Sequence, residues 1–170
     1  MAYVVIGLAL LLVFGPVMWL LPSKQEKELS LLRQGAILGG AKIQPVLIQT
    51  DPVYSATLAR NPHLADYRWI RYQWFANEGE GGQDFTESWV QRKDRERGLV
   101  WEPRKVTSKE PQAVTAMLAP WREQQDVRFL ALEVAPRSVA IVWNEKTSPD
   151  EVRALSDTIR ARFFAPVAQS

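Results

Sequence analysis

VRFLALEVA (127–135) and SVAIVWN (138–144), on either side of the short turn Pro136-Arg137-Ser138, read as the two strands of one hairpin. Both runs are rich in branched and aromatic side chains and apolar almost without interruption, the mark of strands buried on both faces, so the hairpin belongs in the middle of a sheet. Just downstream, Ser148-Pro149-Asp150-Glu151 combines a capping box with proline at the first helical position, and Val152, Leu155, Ile159 and Phe163 share one helical stripe. This helix is expected to cover the sheet.

Working upstream, Pro111 opens a second helix with Val114, Met117, Leu118 and Trp121 at helical spacing; Pro120, which cannot donate into the ladder, is expected to end it before Trp121. YRWIRYQWF (67–75) reads as a strand with Arg68, Ile70, Tyr72 and Trp74 on one face and Tyr67, Trp69, Arg71, Gln73 and Phe75 on the other. The loop NEGEGGQD (77–84) leads from it into FTESWVQR (85–92), and LVWEPRKV (99–106) follows after KDRERG (93–98), giving an antiparallel meander. AKIQPVLIQT (41–50) is a further strand that Pro45 assigns to an edge or a bulge. Asp51-Pro52 then starts a short helix that Asn61-Pro62 closes. Ser23 and Glu26 form another capping box, opening a helix over 23–35 that ends at Gly35. Helices scattered among mostly antiparallel strands make 41–165 an α+β domain, one sheet covered by helices.

All 21 Lys/Arg and all 19 Asp/Glu lie from Lys24 onward. The stretch YVVIGLALLLVFGPVMWLL (3–21) would span roughly 28 Å as a helix, near a bilayer's hydrocarbon thickness, and reads as one transmembrane anchor. It has no basic region before it, and the bulky Val17, Met18, Trp19 and Leu20 stand where a signal peptidase needs small residues, so the anchor is expected to stay uncleaved. Lys24, Lys27 and Arg33 follow it closely, which places the amino terminus outside and the domain in the cytoplasm.

The absence of cysteine excludes disulfides, thiolate metal sites and cysteine nucleophiles, and the single histidine excludes a multi-histidine centre. His63, with Asp66 three residues on, has no nucleophile pattern beside it, and EGEGGQD (78–84) matches no phosphate, dinucleotide or EF-hand motif; it reads as a turn, with weak calcium binding through Glu78, Glu80 and Asp84 as the alternative. The sequence thus nominates no catalytic residue, no cofactor and no metal ligand. The best contact surface is the cluster Arg92, Lys93, Arg95 and Arg97 with Trp89 and Trp101 nearby, since guanidinium heads and indoles suit a protein partner or an anionic lipid headgroup. A net charge of +2 and the interleaved Asp94 and Glu96 disfavour nucleic acid. With so many tryptophans, at least one is expected at the surface as a binding anchor.

The order of parts in GLALLLVFGPVMWLLPSKQEKELSLLRQGAILGG (7–40) resembles the YajC-type accessory subunit of the bacterial preprotein translocase: a lone anchor, a proline at its exit (Pro22), a charged helix, then glycines. That family carries R-P-Q at the exit and G-D-x-V-x-T-x-G-G after the helix; here Leu21-Pro22-Ser23 stands at the exit, and Gly35, Gly39 and Gly40 are the partial counterparts. The likeness is confined to the first third. The whole chain, including PWREQQDVRFLALEVAPRSVAIVWNEK (120–146), is similar in plan to anchored proteobacterial inner-membrane proteins of unknown function. The resemblance implies a single-pass bacterial inner-membrane protein and no catalytic residues. The function expected is a non-enzymatic accessory or adaptor protein that presents a cytoplasmic domain to a partner, as in an inner-membrane complex such as the translocase. The alternative is a membrane-bound small-ligand sensor or enzyme with an aromatic-lined pocket.

Overall fold

The computed structural model describes Tyr3 and residues 23–52, 54–83, 85–104, 111–124 and 126–164. The chain runs through α1 (Lys24–Leu38), β1 (Ala41–Val46), α2 (Ser55–Arg60), a 3-10 turn (Pro62–Asp66), β2 (Trp69–Phe75), β3 (Glu87–Asp94) and β4 (Gly98–Pro103), then α3 (Gln112–Glu123), β5 (Phe129–Ala135), β6 (Ser138–Trp143) and α4 (Pro149–Phe163). All six strands form one antiparallel sheet in the order β1-β2-β6-β5-β3-β4. The hairpin β5–β6 occupies its centre, as the uninterrupted apolar runs require. The expected meander is corrected: β2 pairs with β1 and β6, and β3 pairs with β4 and β5, so the central hairpin separates β2 from β3. The loop after β2 is therefore a crossing, not a hairpin turn. It passes over the β5–β6 turn, where Gln83 N–H donates to the Pro136 carbonyl at 3.1 Å. A Cβ at Gly82 would sit 1.5 Å from that carbonyl oxygen, so only glycine fits there.

Alternation along the strands sends two unlike surfaces to opposite sides. On one side Ile70, Tyr72, Trp74, Trp89, Trp101 and Trp143 meet the apolar stripes of α1, α3 and α4 in the main core. The α3 stripe is the one read from the sequence, with Val114, Met117, Leu118 and Trp121 buried; on α4 Val152, Ile159 and Phe163 are buried as expected, but Leu155 is only half-buried and Ser156 is buried beside them. On the other side Tyr54, Leu58 and Leu64, from the segment between β1 and β2, cover only Trp69, Val90, Leu130, Ala131 and Val142. Among the described residues no helix covers the rest of that face.

Both capping boxes are formed, with Ser23 Oγ accepting from Glu26 N–H at 3.2 Å and Ser148 Oγ from Glu151 N–H at 3.3 Å. Pro45 sits on the edge strand β1. Three local expectations are corrected. Helix α1 runs past Gly35 to Leu38, because Leu32 and Ala36 are buried in the core while Gly35 faces open space; Gly39 and Gly40, the latter at φ 80°, close it instead. Helix α2 begins at Ser55 with Tyr54 at its N-cap, not at Asp51-Pro52. Helix α3 continues through Pro120, whose lost hydrogen bond is offset by stacking of the Trp121 ring on Phe129 at 4.0 Å and its approach to Trp101 at 5.5 Å.

The expectation of an N-terminal transmembrane helix as part of the fold is also corrected. Among the described residues no helix is long and apolar enough to cross a membrane. The stretch on which that reading rested, 3–21, lies outside the described residues apart from Tyr3. The described residues form the α+β unit, and α1 is a part of its core, clamped by Arg33, whose guanidinium donates to both carboxylate oxygens of Glu145 at 2.8 and 2.6 Å.

Candidate functional site

β3 and β4 pair in register from Trp89 opposite Pro103 to Asp94 opposite Gly98, which leaves Arg95, Glu96 and Arg97 as the turn. Gly98 takes φ 74°, a left-handed value natural to glycine. Asp94 Oδ1 accepts from the backbone N–H of both Glu96 and Arg97 at 3.0 Å, and these two donors hold its carboxyl below the usual carboxylate range. The sequence placed Arg92 at the end of the strand and Lys93 in the loop; both lie on β3. Arg92 pairs across the ladder with Glu102. Lys93, Arg95 and Arg97 are exposed. Arg60 and Asn61, at the end of α2, stand beside this tip and complete an open depression of about 880 Å³ with Arg92, Lys93, Arg95 and Arg97 on its walls. The structure thus brings the four basic residues together and adds Arg60, which lies more than thirty residues away in sequence and gave no signal there.

The two tryptophans grouped with that cluster do not belong to it. Trp89 is 0% and Trp101 6% exposed, both inside the core under α3, on the face opposite Arg92. The expectation of a surface tryptophan is likewise corrected for the described residues: Trp69, Trp74, Trp121 and Trp143 are buried as well. Period-two parity could have shown this, since Trp89 and Gln91 share one face of β3 while Val90 and Arg92 share the other. The aromatic side of the sheet is packed under helices. Of the carboxylates considered for calcium, Glu80 accepts from the Asn77 backbone at 2.7 Å and pairs with Arg160 at 3.2 Å, and Asp84 lies outside the described residues. No group of three or more metal-ligating side chains occurs among the described residues.

A second concavity, which the sequence reading missed, lies on the open half of the sheet's other face. Gln73, Ala140, Glu133 and Ser88 form one cross-strand row over β2, β6, β5 and β3. The small side chains of Ser88, Ala135, Ser138 and Ala140 keep this surface low between Arg71 on one side and Arg104 on the other, enclosing about 610 Å³. Glu133 Oε1 accepts from Arg71 Nη2 and from the Tyr54 hydroxyl, each at 3.0 Å; burial and the neighbouring carboxylate push the Tyr54 hydroxyl above the usual phenol range, so it stays a donor. Among the described residues Arg71 Nε and Ser88 Oγ, both screened from solvent, have no hydrogen-bond partner, a state that costs about 1–3 kcal/mol for a buried polar group. The signal for this groove in the sequence was the lone charge in each of two apolar runs, Arg71 in WIRYQWF and Glu133 in FLALEVA.

Comparison with protein-family models, with curated proteins and with solved structures gives no match to this chain.

Proposed function

We propose that the chain is a non-enzymatic accessory or adaptor protein working at the cytoplasmic face of the bacterial inner membrane, where it presents the basic tip of the β3–β4 hairpin to an acidic surface of a protein partner in an inner-membrane complex. The observation that carries the reading is the convergence of Arg60, Lys93, Arg95 and Arg97 on one open depression. Exposed arginines on a rigid hairpin steer and orient an acidic partner, and they are available because Asp94 is turned inward to the backbone of its own turn. The charge-free residues 1–23 and the basic residues that follow support the location. Nearby Asp94 and Glu96 cut the pull toward an anionic leaflet, which favours a protein over lipid as the contact.

The test is site-specific photo-crosslinking in native membranes from position 95, with position 154 on the exposed side of α4 as control. A discrete protein adduct from position 95 alone, lost when Lys93 and Arg97 are both changed to Glu, is expected. An adduct insensitive to that charge reversal, or transfer of the label to lipid only, would refute the proposed contact.

A further inference from the structure

We infer that the partner's acidic surface is an extended peptide segment, with a block of carboxylates at the β3–β4 tip followed by small uncharged residues that run along a trough to the groove; this rests on the role proposed for the tip. Three concavities share walls. The depression of about 880 Å³ at the tip and a narrower one of about 210 Å³ have Arg60 and Arg92 in common, and the narrower one meets the groove of about 610 Å³ at Arg104. The narrow part is a waist between Ala56 and Thr57 of α2 and the strands β3 and β4, where Val90 and Arg92 lie opposite Glu102 and Val100. From Asp94, opposite Gly98, to Ser88, opposite Glu133, the path follows β3 for about 20 Å at about 3.3 Å per residue.

Charge is spread unevenly along this path. At the tip Arg60, Lys93, Arg95 and Arg97 form no ion pair among the described residues. In the waist Arg92 is matched by Glu102, and in the groove Arg71 is matched by Glu133. A guest charged along its whole length would therefore meet acids as well as bases beyond the tip, and the described tryptophans, which could stack nucleic-acid bases, are buried. What suits the path is charge at one end only. At the groove end Arg71 Nε and Ser88 Oγ carry donors without a partner among the described residues, over a floor kept low by Ala135, Ser138 and Ala140. Peptide carbonyls supply acceptors for such donors, and small side chains fit above such a floor. The waist sets the conformation. A helix with its side chains is about 10–12 Å across, too wide for that opening, whereas a single extended chain passes, and about six to eight residues cover the distance.

The experiment measures binding of three end-blocked, fluorescein-labelled peptides to the full-length chain by anisotropy: tetraglutamate, Glu-Glu-Glu-Glu-Ser-Ala-Ser-Ala and the reverse order Ser-Ala-Ser-Ala-Glu-Glu-Glu-Glu. All three carry the same charge, so any gain from the uncharged half reports the trough. One of the two longer peptides is expected to bind about tenfold more tightly than tetraglutamate, and to shift the backbone amides of Ser88, Ser138 and Ala140 in NMR spectra where tetraglutamate does not. Ala56→Trp, a change at an exposed position that plugs the waist, should abolish the gain and leave tetraglutamate binding as it was. Changing Lys93 and Arg97 together to Glu should weaken all three peptides by about tenfold or more. Equal affinity of all three peptides, or a gain that survives Ala56→Trp, would overturn the trough while the tip, if still sensitive to its charge reversal, kept its proposed role. Binding of no peptide, or binding indifferent to the Lys93 and Arg97 changes, would overturn both.

Discussion

The two faces of the sheet are made from the same strands and are used differently. The face under α1, α3 and α4 is aromatic and closed: Trp121, Phe129 and Trp143 stack in sequence with centroids 4.0 and 5.6 Å apart, and Tyr72 meets Trp143 edge-on at 5.3 Å. The opposite face is apolar only beneath α2 and the 3-10 turn; the rest carries arginines, carboxylates and hydroxyls over a floor of small side chains. The difference teaches that the tryptophans, the most conspicuous residues in the sequence, serve stability, while recognition is left to inconspicuous ones. Large indoles bury much area and hold the sheet rigid, which lets the other face remain open without collapsing.

The comparison is broken most directly by placing a charge on the closed face. Ile159 is 0% exposed in the main core. Ile159→Asp should destabilise the protein by about 3–5 kcal/mol, through an unpaired buried carboxylate and lost packing. Urea denaturation would measure it, and a midpoint within error of the parent would show that α4 does not close this face.

How much of this was legible follows from which forces are local. The central hairpin, both capping boxes and the stripes of α3 and α4 were readable because period, cap and turn chemistry lie within a few residues of one another. The strand order was not, because pairing of β3 with β5 rather than β2 is decided by where the most apolar hairpin must go, and nothing near Glu87 records it. Trp89 and Trp101 were misplaced because proximity in sequence to Arg92 was given more weight than the alternation that separates their faces. The groove was missed since alanine and serine at 88, 135, 138 and 140 look ordinary until four strands bring them together.

A second prediction sharpens the contrast at the joint between α1 and the sheet. Glu145 is held at φ 56°, a left-handed conformation uncommon outside glycine, and its carboxylate, with side-chain exposure of 5%, accepts from Arg33 and from the Tyr72 hydroxyl at 2.6 Å. Removing Arg33 leaves that carboxylate with one neutral partner. Arg33→Met should cost about 2 kcal/mol, less than a fully buried pair because Arg33 is itself about a third open to solvent. Ser138→Ala on the open face should change stability by no more than about 0.5 kcal/mol. Equal losses for the two variants in parallel urea titrations would erase the distinction between a face that holds the fold and one that does not.

The smallest effect belongs to the β3–β4 tip. Two backbone N–H donors hold the Asp94 carboxyl below its ordinary value in the folded state, whereas in the unfolded chain it titrates near pH 3.9. A depressed folded value means the unfolded state takes up the proton first as pH falls. The contribution of Asp94 is therefore present above about pH 4 and is lost as pH drops through the folded value, with no change between pH 5 and 8. Because Asp94 bonds only to the backbone of its own turn, at the end of the sheet, the loss should loosen the turn without unfolding the sheet. Amide shifts of Glu96 and Arg97 followed by NMR should titrate together with a midpoint below 3.9, Asp94→Asn should remove that step, and tryptophan emission from the closed face should stay constant through it. A midpoint at or above the ordinary aspartate value, or a step shared by the tryptophans, would mean that the tip is coupled to the core and that the two sides of the sheet do not respond independently.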